Sequence, residues 1–428
     1  MEVRGYFGLI TLKNGTVFID NEFKKLDVQL DGEKIVCIKE NLSGGKEIDC
    51  TDKLITPSFM DSHVHFREPG QERKETIYQG SRAAAKGGYT TVFLMPNITP
   101  KPNNLENITY INNLIKKDSI IDSIQTGSIT YDQSGLGDTL SDMEAIAPYV
   151  CGFSDDGNGV YKSSTMYEAQ KKAKELNKPM ICHCEDRDLL YSGVMHEGKA
   201  SHEKGLPGIM GITETLEIAR NAIIAGETGC HLHICHTSIK ESVELIKYFK
   251  EHGVHITCEA TPHHLISIDS DVDPTNANWK MNPPLESYED REALIKGLID
   301  GTVDCIATDH APHTKEDKDK GFIKAPFGIT GIETSFPLLY TELVKSGKVP
   351  LSLILNKMSH DMAKTFDLPT HDIYVGNLAN ITIIDLNAHY KIDSSTFVSK
   401  GHNTPYDGKW VYGKILYTIK RGEIIYGL

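Results

Sequence analysis

The stretch DSHVHFREPG, residues 61–70, places His63, His65 and Arg67 at every second position, with Val64 and Phe66 between them. On a strand, alternate side chains share a face, so the three nitrogen-bearing groups point one way and the two apolar ones the other. A polar face this dense has to be hydrogen-bonded, solvated or liganded, because unpaired polar groups in a core are costly. Similar residues close later apolar runs. Asn97 ends TTVFLMPN, Asp155 and Asp156 lie in GFSDDG, His183 ends PMICH, His236 lies in HICHTS and Asp309 in IATDHAPH. Imidazole nitrogen and carboxylate oxygen are donors suited to a borderline ion such as Zn²⁺. Four histidines and at least two aspartates exceed what one tetrahedral ion takes and suit two ions sharing a carboxylate. Such a pair activates water and polarises a carbonyl, which is the chemistry of amide hydrolysis.

Each motif also has a plain structural reading. His231-x-His233 is out of phase with His236 and lies deeper in its segment, which marks a supporting or packing pair. SDDG alone is a common turn, and the PHH of residues 262–264 is surplus to a complete ligand set. The basic run at 315–324 reads as a solvated loop. Cys182 and Cys184 flank His183 and Cys235 precedes His236, so alternation turns these thiols to the face opposite the imidazoles, as small buried apolar groups. Nine cysteines without a CxxC pair argue against a disulfide framework.

The elements that must position these residues alternate strand and helix from about 57 to 367. Strands are expected within 55–66, 90–97, 122–130, 149–157, 179–185, 230–238, 255–265 and 303–313. SSTMYEAQKKAKELNKP and SIKESVELIKYFKEHG carry helical periodicity, the second with Val243, Ile246 and Phe249 on one face. Eight such units predict an α/β fold of the (β/α)8 TIM-barrel type, whose strand C-terminal ends carry the active site. The open doubly wound alternative usually has a glycine-rich phosphate turn after its first strand, where this chain has FREPGQERKE. Residues 1–56 and 368–428 instead show short strands and turns, and are expected to pair into one small composite β domain beside a 57–367 barrel.

A formal charge of −14 argues against a nucleic-acid surface. No apolar run reaches transmembrane length, and MEVRGYFGLITLKNG lacks the order of a signal peptide, so a cytoplasmic, membrane-free protein is expected.

With these residues in view, the chain resembles the dihydroorotases, in the bacterial class I branch of the cyclic amidohydrolases. The likeness runs nearly end to end through DSHVHFREPGQERKET, AAAKGGYTTVFLMPN, GFSDDG, HICHTS, EATPHHL, KMNPPL, IATDHAPHT and APFGITGIETSFPLLY. It implies reversible cyclisation of N-carbamoyl-L-aspartate to (S)-dihydroorotate in pyrimidine synthesis, with two zinc ions per chain and a hydroxide bridging them. It implies that His63, His65 and Asp309 hold one zinc, that His183 and His236 hold the other, and that Asp156 bridges them. Many relatives have a carbamylated lysine at that bridge. Arg67, Asn97 and His313, with His65 beside them, would hold the substrate carboxylate. Asn282 and the backbone at Phe327 and Gly328 would meet the pyrimidine ring, and Asp309 would move the proton. The resemblance also implies a homodimer and leaves association with aspartate transcarbamoylase open. Ile98 and Asn380 depart from the usual Thr and Asp, both outside the ligand set.

Two alternatives stand beside it. An allantoinase, hydantoinase or dihydropyrimidinase acts on rings without this carboxylate and usually has the bridging lysine, so Arg67 and Asp156 count against it. A non-catalytic subunit scaffolding aspartate transcarbamoylase typically lacks ligands that this chain keeps.

The aspartate bridge carries an expectation of its own. Loading apoprotein with zinc should need no dissolved bicarbonate, since no lysine has to be carbamylated. Marked activation by bicarbonate during loading would remove Asp156 from the bridging position.

Overall fold

The computed structural model describes residues 8–427. Strands from both ends of the chain share one eight-stranded sheet. Its order is Glu423–Gly427, Trp410–Lys420, Ile381–Lys391, Leu54–Pro57, Ile10–Ile19, Glu22–Asp31 and Lys34–Lys39, with Lys46–Asp49 also paired to Ile10–Ile19. The seam between the two ends is antiparallel, with Ile381 opposite Pro57 and Ile383 opposite Ile55. Leu12, Val17, Val28, Ile35, Ile55, Ile381, Ile383 and Ile419 bury together beneath it. That cluster draws on both ends, so each end supplies part of the other's core. The first seven residues of the 1–56 segment lie outside the described residues.

Between the two ends, eight chain segments close a parallel (β/α)8 barrel. One arc contains Phe59–Val64, Tyr89–Leu94 and Asp122–Gln125. The other contains Met180–Cys182, Leu232–Ile234, Ile256–Ala260 and Cys305–Ile306. Parallel bridges from Phe153 to Gly127 and Met180 join the arcs on one side, and Val64 to His310 joins them on the other. Helices Ser163–Glu175 and Lys240–Glu251 lie where the periodicity predicts, the latter burying Val243 and Ile246. Among the described residues no helix is long and apolar enough to cross a membrane.

Three sequence expectations need correction. The segment 149–157 forms no strand beyond the bridge at Phe153; it is held instead by the Asp155 carboxylate, which accepts from the backbone N–H of Ile129 at 2.8 Å and of Thr130 at 3.1 Å. The strand expected to reach 265 stops at Ala260, because Thr261 caps a short helix, Pro262–Ile266, with Pro at its first position. The first barrel strand ends at Val64, so Arg67 does not continue its alternation; Arg67 has φ 61°, in the left-handed region. Its guanidinium therefore reaches the barrel top through a turn.

Buried Asp61 ties the first barrel strand to the last. It accepts from the Thr308 hydroxyl at 2.6 Å, the Thr308 N–H at 3.1 Å and the His63 N–H at 3.0 Å. Asp61→Ala should lower unfolding free energy by about 3 kcal/mol, since three buried donors lose their acceptor. Urea denaturation measures this. A loss below about 1 kcal/mol would show that backbone pairing alone closes the barrel there.

Candidate active site

His63 and His65 lie at the end of the first barrel strand, and their rings are locked from outside. The Nδ1 of His63 is 2.9 Å from Glu259 Oε1, and the Nδ1 of His65 is 2.9 Å from Asn97 Oδ1. A carboxylate and an amide carbonyl only accept, so both Nδ1 atoms carry the proton. The Nε2 lone pairs consequently face inward. His63 Nε2 is 3.2 Å from Asp156 Oδ1 and 3.6 Å from Asp309 Oδ1. His65 Nε2 is 3.1 Å from Asp309 Oδ1 and 3.5 Å from Asp156 Oδ2.

A second pair of imidazoles completes the cluster. His183 Nδ1 is 2.9 Å from His236 Nε2, which is 3.9 Å from Asp156 Oδ1. All six side chains are buried, and His63 Nε2 and Asp156 Oδ1 have no hydrogen-bond partner. Burial alone would raise the Asp156 carboxyl; positive charge on His63, His65 and His183 holds it well below the usual range, and a bound cation would take over that part where their inward nitrogens are bare. Ionised carboxylates facing bare imidazole nitrogens in a dry interior form a donor set for cations. The ligand atoms of His63, Asp156 and His236, and those of His63, His65 and Asp309, each gather within 4.8 Å. Either group could hold a divalent ion, and His183 lies outside both, beside His236.

The backbone is bent to achieve this. His236 has φ 30° and Asp309 φ 45°, both left-handed, like Arg67. Non-glycine residues hold such conformations at a cost of roughly 1–3 kcal/mol and tend to cluster at functional sites. Asp156 is aimed by its neighbours: its carbonyl accepts from Gln133 Nε2 at 2.8 Å, and Asn97 Nδ2 donates to its Oδ2 at 3.3 Å.

Beside the cluster lies a cationic wall. Arg67 is buried, and its Nε donates to the Pro312 carbonyl at 3.3 Å. Burial lowers its guanidinium to about 10, still charged at neutral pH. Burial first, then the Arg67 charge, pulls His313 down to about 2, so its ring is neutral. His313 Nε2 donates to the Phe327 carbonyl at 2.7 Å, leaving a buried Nδ1 without a partner. Gly328 has φ 122°, and a Cβ there would meet Ala311 Cβ at 2.7 Å. Its N–H bonds to the Lys280 carbonyl at 3.0 Å, so the polar backbone atoms of this turn bond internally. Asn282 sits across the cluster, its Nδ2 donating to Glu185 Oε1 at 2.9 Å.

Two further readings change in part or whole. The 315–324 run is largely exposed as expected, but Lys318 is buried, and its ammonium donates to the carbonyls of Ala277, Lys280 and Pro326 at 3.1, 3.2 and 2.9 Å. Charge content suggested solvent, but three orphan carbonyls hold the cation inside. Cys235 does not face away from the imidazoles, since its Sγ lies within 4.8 Å of ligand atoms of His63 and Glu259. The strand ends at Ile234 and His236 turns left-handed, which breaks the alternation. Burial pushes this thiol up to about 12, so it remains protonated.

Sequence reasoning missed Glu259 and Glu185. Glu259 is fully buried and takes His63 Nδ1, His233 Nε2 at 3.1 Å and the His236 N–H at 3.2 Å. An acid inside an otherwise buried strand was the available signal. His231, by contrast, supports its strand as expected, bonding Thr257 at 2.8 Å and stacking on His255.

The fold is shared with solved enzyme structures. It superposes on an L-hydantoinase (dihydropyrimidinase) from Arthrobacter aurescens with TM-score 0.87 over 98% of this chain and 96% of that one, at 23% identity. It also superposes on a dihydropyrimidinase from Brevibacillus agri with TM-score 0.85, over 98% and 95%, at 23% identity. A family profile described as dihydro-orotase-like matches residues 52–242. A dihydroorotase of Fusobacterium nucleatum is 47% identical over 97% of this chain and 98% of its own. One of Staphylococcus epidermidis is 45% identical over 97% and 98%. The chain belongs to the dihydroorotase family.

Glu259→Gln should lower metal affinity about 10- to 100-fold, because the amide no longer fixes the His63 proton outward as a carboxylate does. Competition with a chromophoric chelator reads this directly. Unchanged affinity would assign Glu259 to packing alone.

Proposed function

We propose that the chain is a dihydroorotase, a cyclic amidohydrolase of pyrimidine synthesis that interconverts N-carbamoyl-L-aspartate and (S)-dihydroorotate with two zinc ions. The observation that carries this reading is the buried Arg67 guanidinium, which has no carboxylate within salt-bridge distance among the described residues, beside a buried cluster of bare ligand atoms. A buried cation of this kind calls for an anionic substrate group. Rings that lack a carboxylate, as in hydantoins and dihydropyrimidines, leave it unpaired.

His63, His65 and Asp309 would hold one zinc and His183 and His236 the other, with Asp156 shared between them. Bound there, the ions would supply Lewis acidity to a ring carbonyl and lower the pKa of water. Arg67 receives the ring carboxylate in a fork that lysine cannot offer. Asn97 flanks that carboxylate, and His313, whose one N–H goes to the Phe327 carbonyl, would bond it only with Nδ1 protonated by the bound anion's charge. Phe327 and Gly328 form the turn facing the ring, and Asn282 offers it an amide. In hydrolysis the C–N bond of the ring amide breaks, water supplies OH to carbon, and the nitrogen takes a proton. Asp309 would accept the water's proton and return it to that nitrogen, a role worth ~10²–10⁴-fold. Cyclisation runs the same transfer backwards.

Zinc-loaded protein should turn over dihydroorotate and lose this activity when stripped of metal. Arg67→Met should cut kcat/KM for dihydroorotate about a hundredfold, matching roughly 3 kcal/mol for a charge-assisted contact. The loss on dihydrouracil, which has no carboxylate, should be much smaller. Equal losses on the two rings would show that Arg67 does not hold the carboxylate.

A further inference from the structure

Glu185 follows the metal-ligand candidate His183 by two residues, and its two carboxylate oxygens face different parts of the site. Oε1 accepts from Asn282 Nδ2 at 2.9 Å, while Oε2 lies 3.5 Å from His183 Nε2. His183, Glu185 and Asn282 line one small cavity. A carboxylate has no hydrogen to give, so the Asn282 amide can face it only with its NH₂ end. The opposite end, Oδ1, is buried and has no partner. A buried amide oxygen without a donor is costly, and such a group calls for a donor from elsewhere.

We infer that Glu185 is a positioning residue that fixes the polarity of Asn282, so that the site presents an acceptor and selects a substrate with a ring N–H. This rests on the reading of the site as one for dihydroorotate, whose ring amide has such an N–H. Asn282 alone would rotate freely between an acceptor and a donor face. With Glu185 on one side, only the acceptor face is open to the ring. The same carboxylate takes the outer N–H of His183, which leaves Nδ1 inward.

The inference ranks two substitutions in an unusual order. In Glu185→Gln the side chain has one acceptor for two donors. His183 keeps its proton on Nε2 when Nδ1 is a ligand, so the glutamine oxygen turns to His183 and its NH₂ turns to Asn282. Asn282 then flips and offers NH₂ to the ring N–H, donor against donor. Glu185→Ala removes the constraint without reversing it. Glu185→Gln should therefore lower kcat/KM for dihydroorotate by about 30- to 300-fold, mostly through KM, and Glu185→Ala by less, given the cost of an unpaired buried group. A site built to bond a substrate N–H discriminates strongly in this way.

The test uses zinc-loaded full-length protein with four measurements: kcat and KM for dihydroorotate, zinc per chain, melting temperature, and calorimetric binding of orotate. Expected are unchanged zinc and melting temperature in Glu185→Gln, weaker orotate binding, and a Glu185→Gln/Asn282→Ala double variant no worse than Asn282→Ala within about twofold. Alanine proving worse than glutamine, loss of zinc, or losses that multiply in the double variant would each overturn the inference. A wild-type protein that binds zinc but leaves dihydroorotate untouched would instead overturn the proposed function.

Discussion

The site depends on where two protons sit. Glu259 and Asn97 draw the N–H of His63 and of His65 to the outer edge of each ring. What remains inside is a set of lone pairs, two imidazole nitrogens between 3.1 and 3.2 Å from carboxylate oxygens of Asp309 and Asp156. In water such contacts would be relieved by solvent; in a buried pocket they are relieved by a shared cation. The outer acceptors are thus as necessary to the centre as the atoms that would touch a metal.

The fold keeps this arrangement from relaxing. Arg67, His236 and Asp309 take left-handed backbone at the points where barrel segments become loops. That conformation turns each side chain over the barrel top, and it persists because backbone bonds on either side are fixed. His65 donates its N–H to the His310 carbonyl at 2.9 Å, and Thr237 donates to the Glu259 carbonyl at 2.9 Å. Met60, Phe93, Ile181 and Cys305 pack as an apolar floor in the barrel. A close-packed floor resists the small shifts that would let the lone pairs separate.

The chain carries a formal charge of −14, so its overall field does not attract an anion. Anion affinity is therefore local. Arg67 stays charged though buried, and His313 next to it is neutral with its N–H on the Phe327 carbonyl, so Arg67 carries the positive charge of the pair. Lys318 is held through three carbonyls, which ties its segment to Ala277 and Lys280. Burial makes an unmatched guanidinium costly, which is why the lone cation at Arg67 matters.

Much of this was legible in the sequence. Alternating strand and helix over 57–367 determined a parallel barrel, and barrel geometry sends strand ends to one rim, so His63, His65, Asn97, Asp156, His183, His236 and Asp309 could be grouped without coordinates. The terminal segments could be paired because neither carried a core of its own. Spacing could not show that alternation ends at Val64 and Ile234, because left-handed backbone at Arg67 and His236 is imposed by loop packing. It also could not separate Asp155, which clamps backbone N–H groups, from Asp156, which faces the imidazoles. Glu259 and Glu185 lay hidden for the same reason: their partners are 196 and 97 residues away, and only tertiary contact decides which proton a carboxylate takes. Local pattern determines which face a side chain shares; the polarity of what it meets there is decided by the fold.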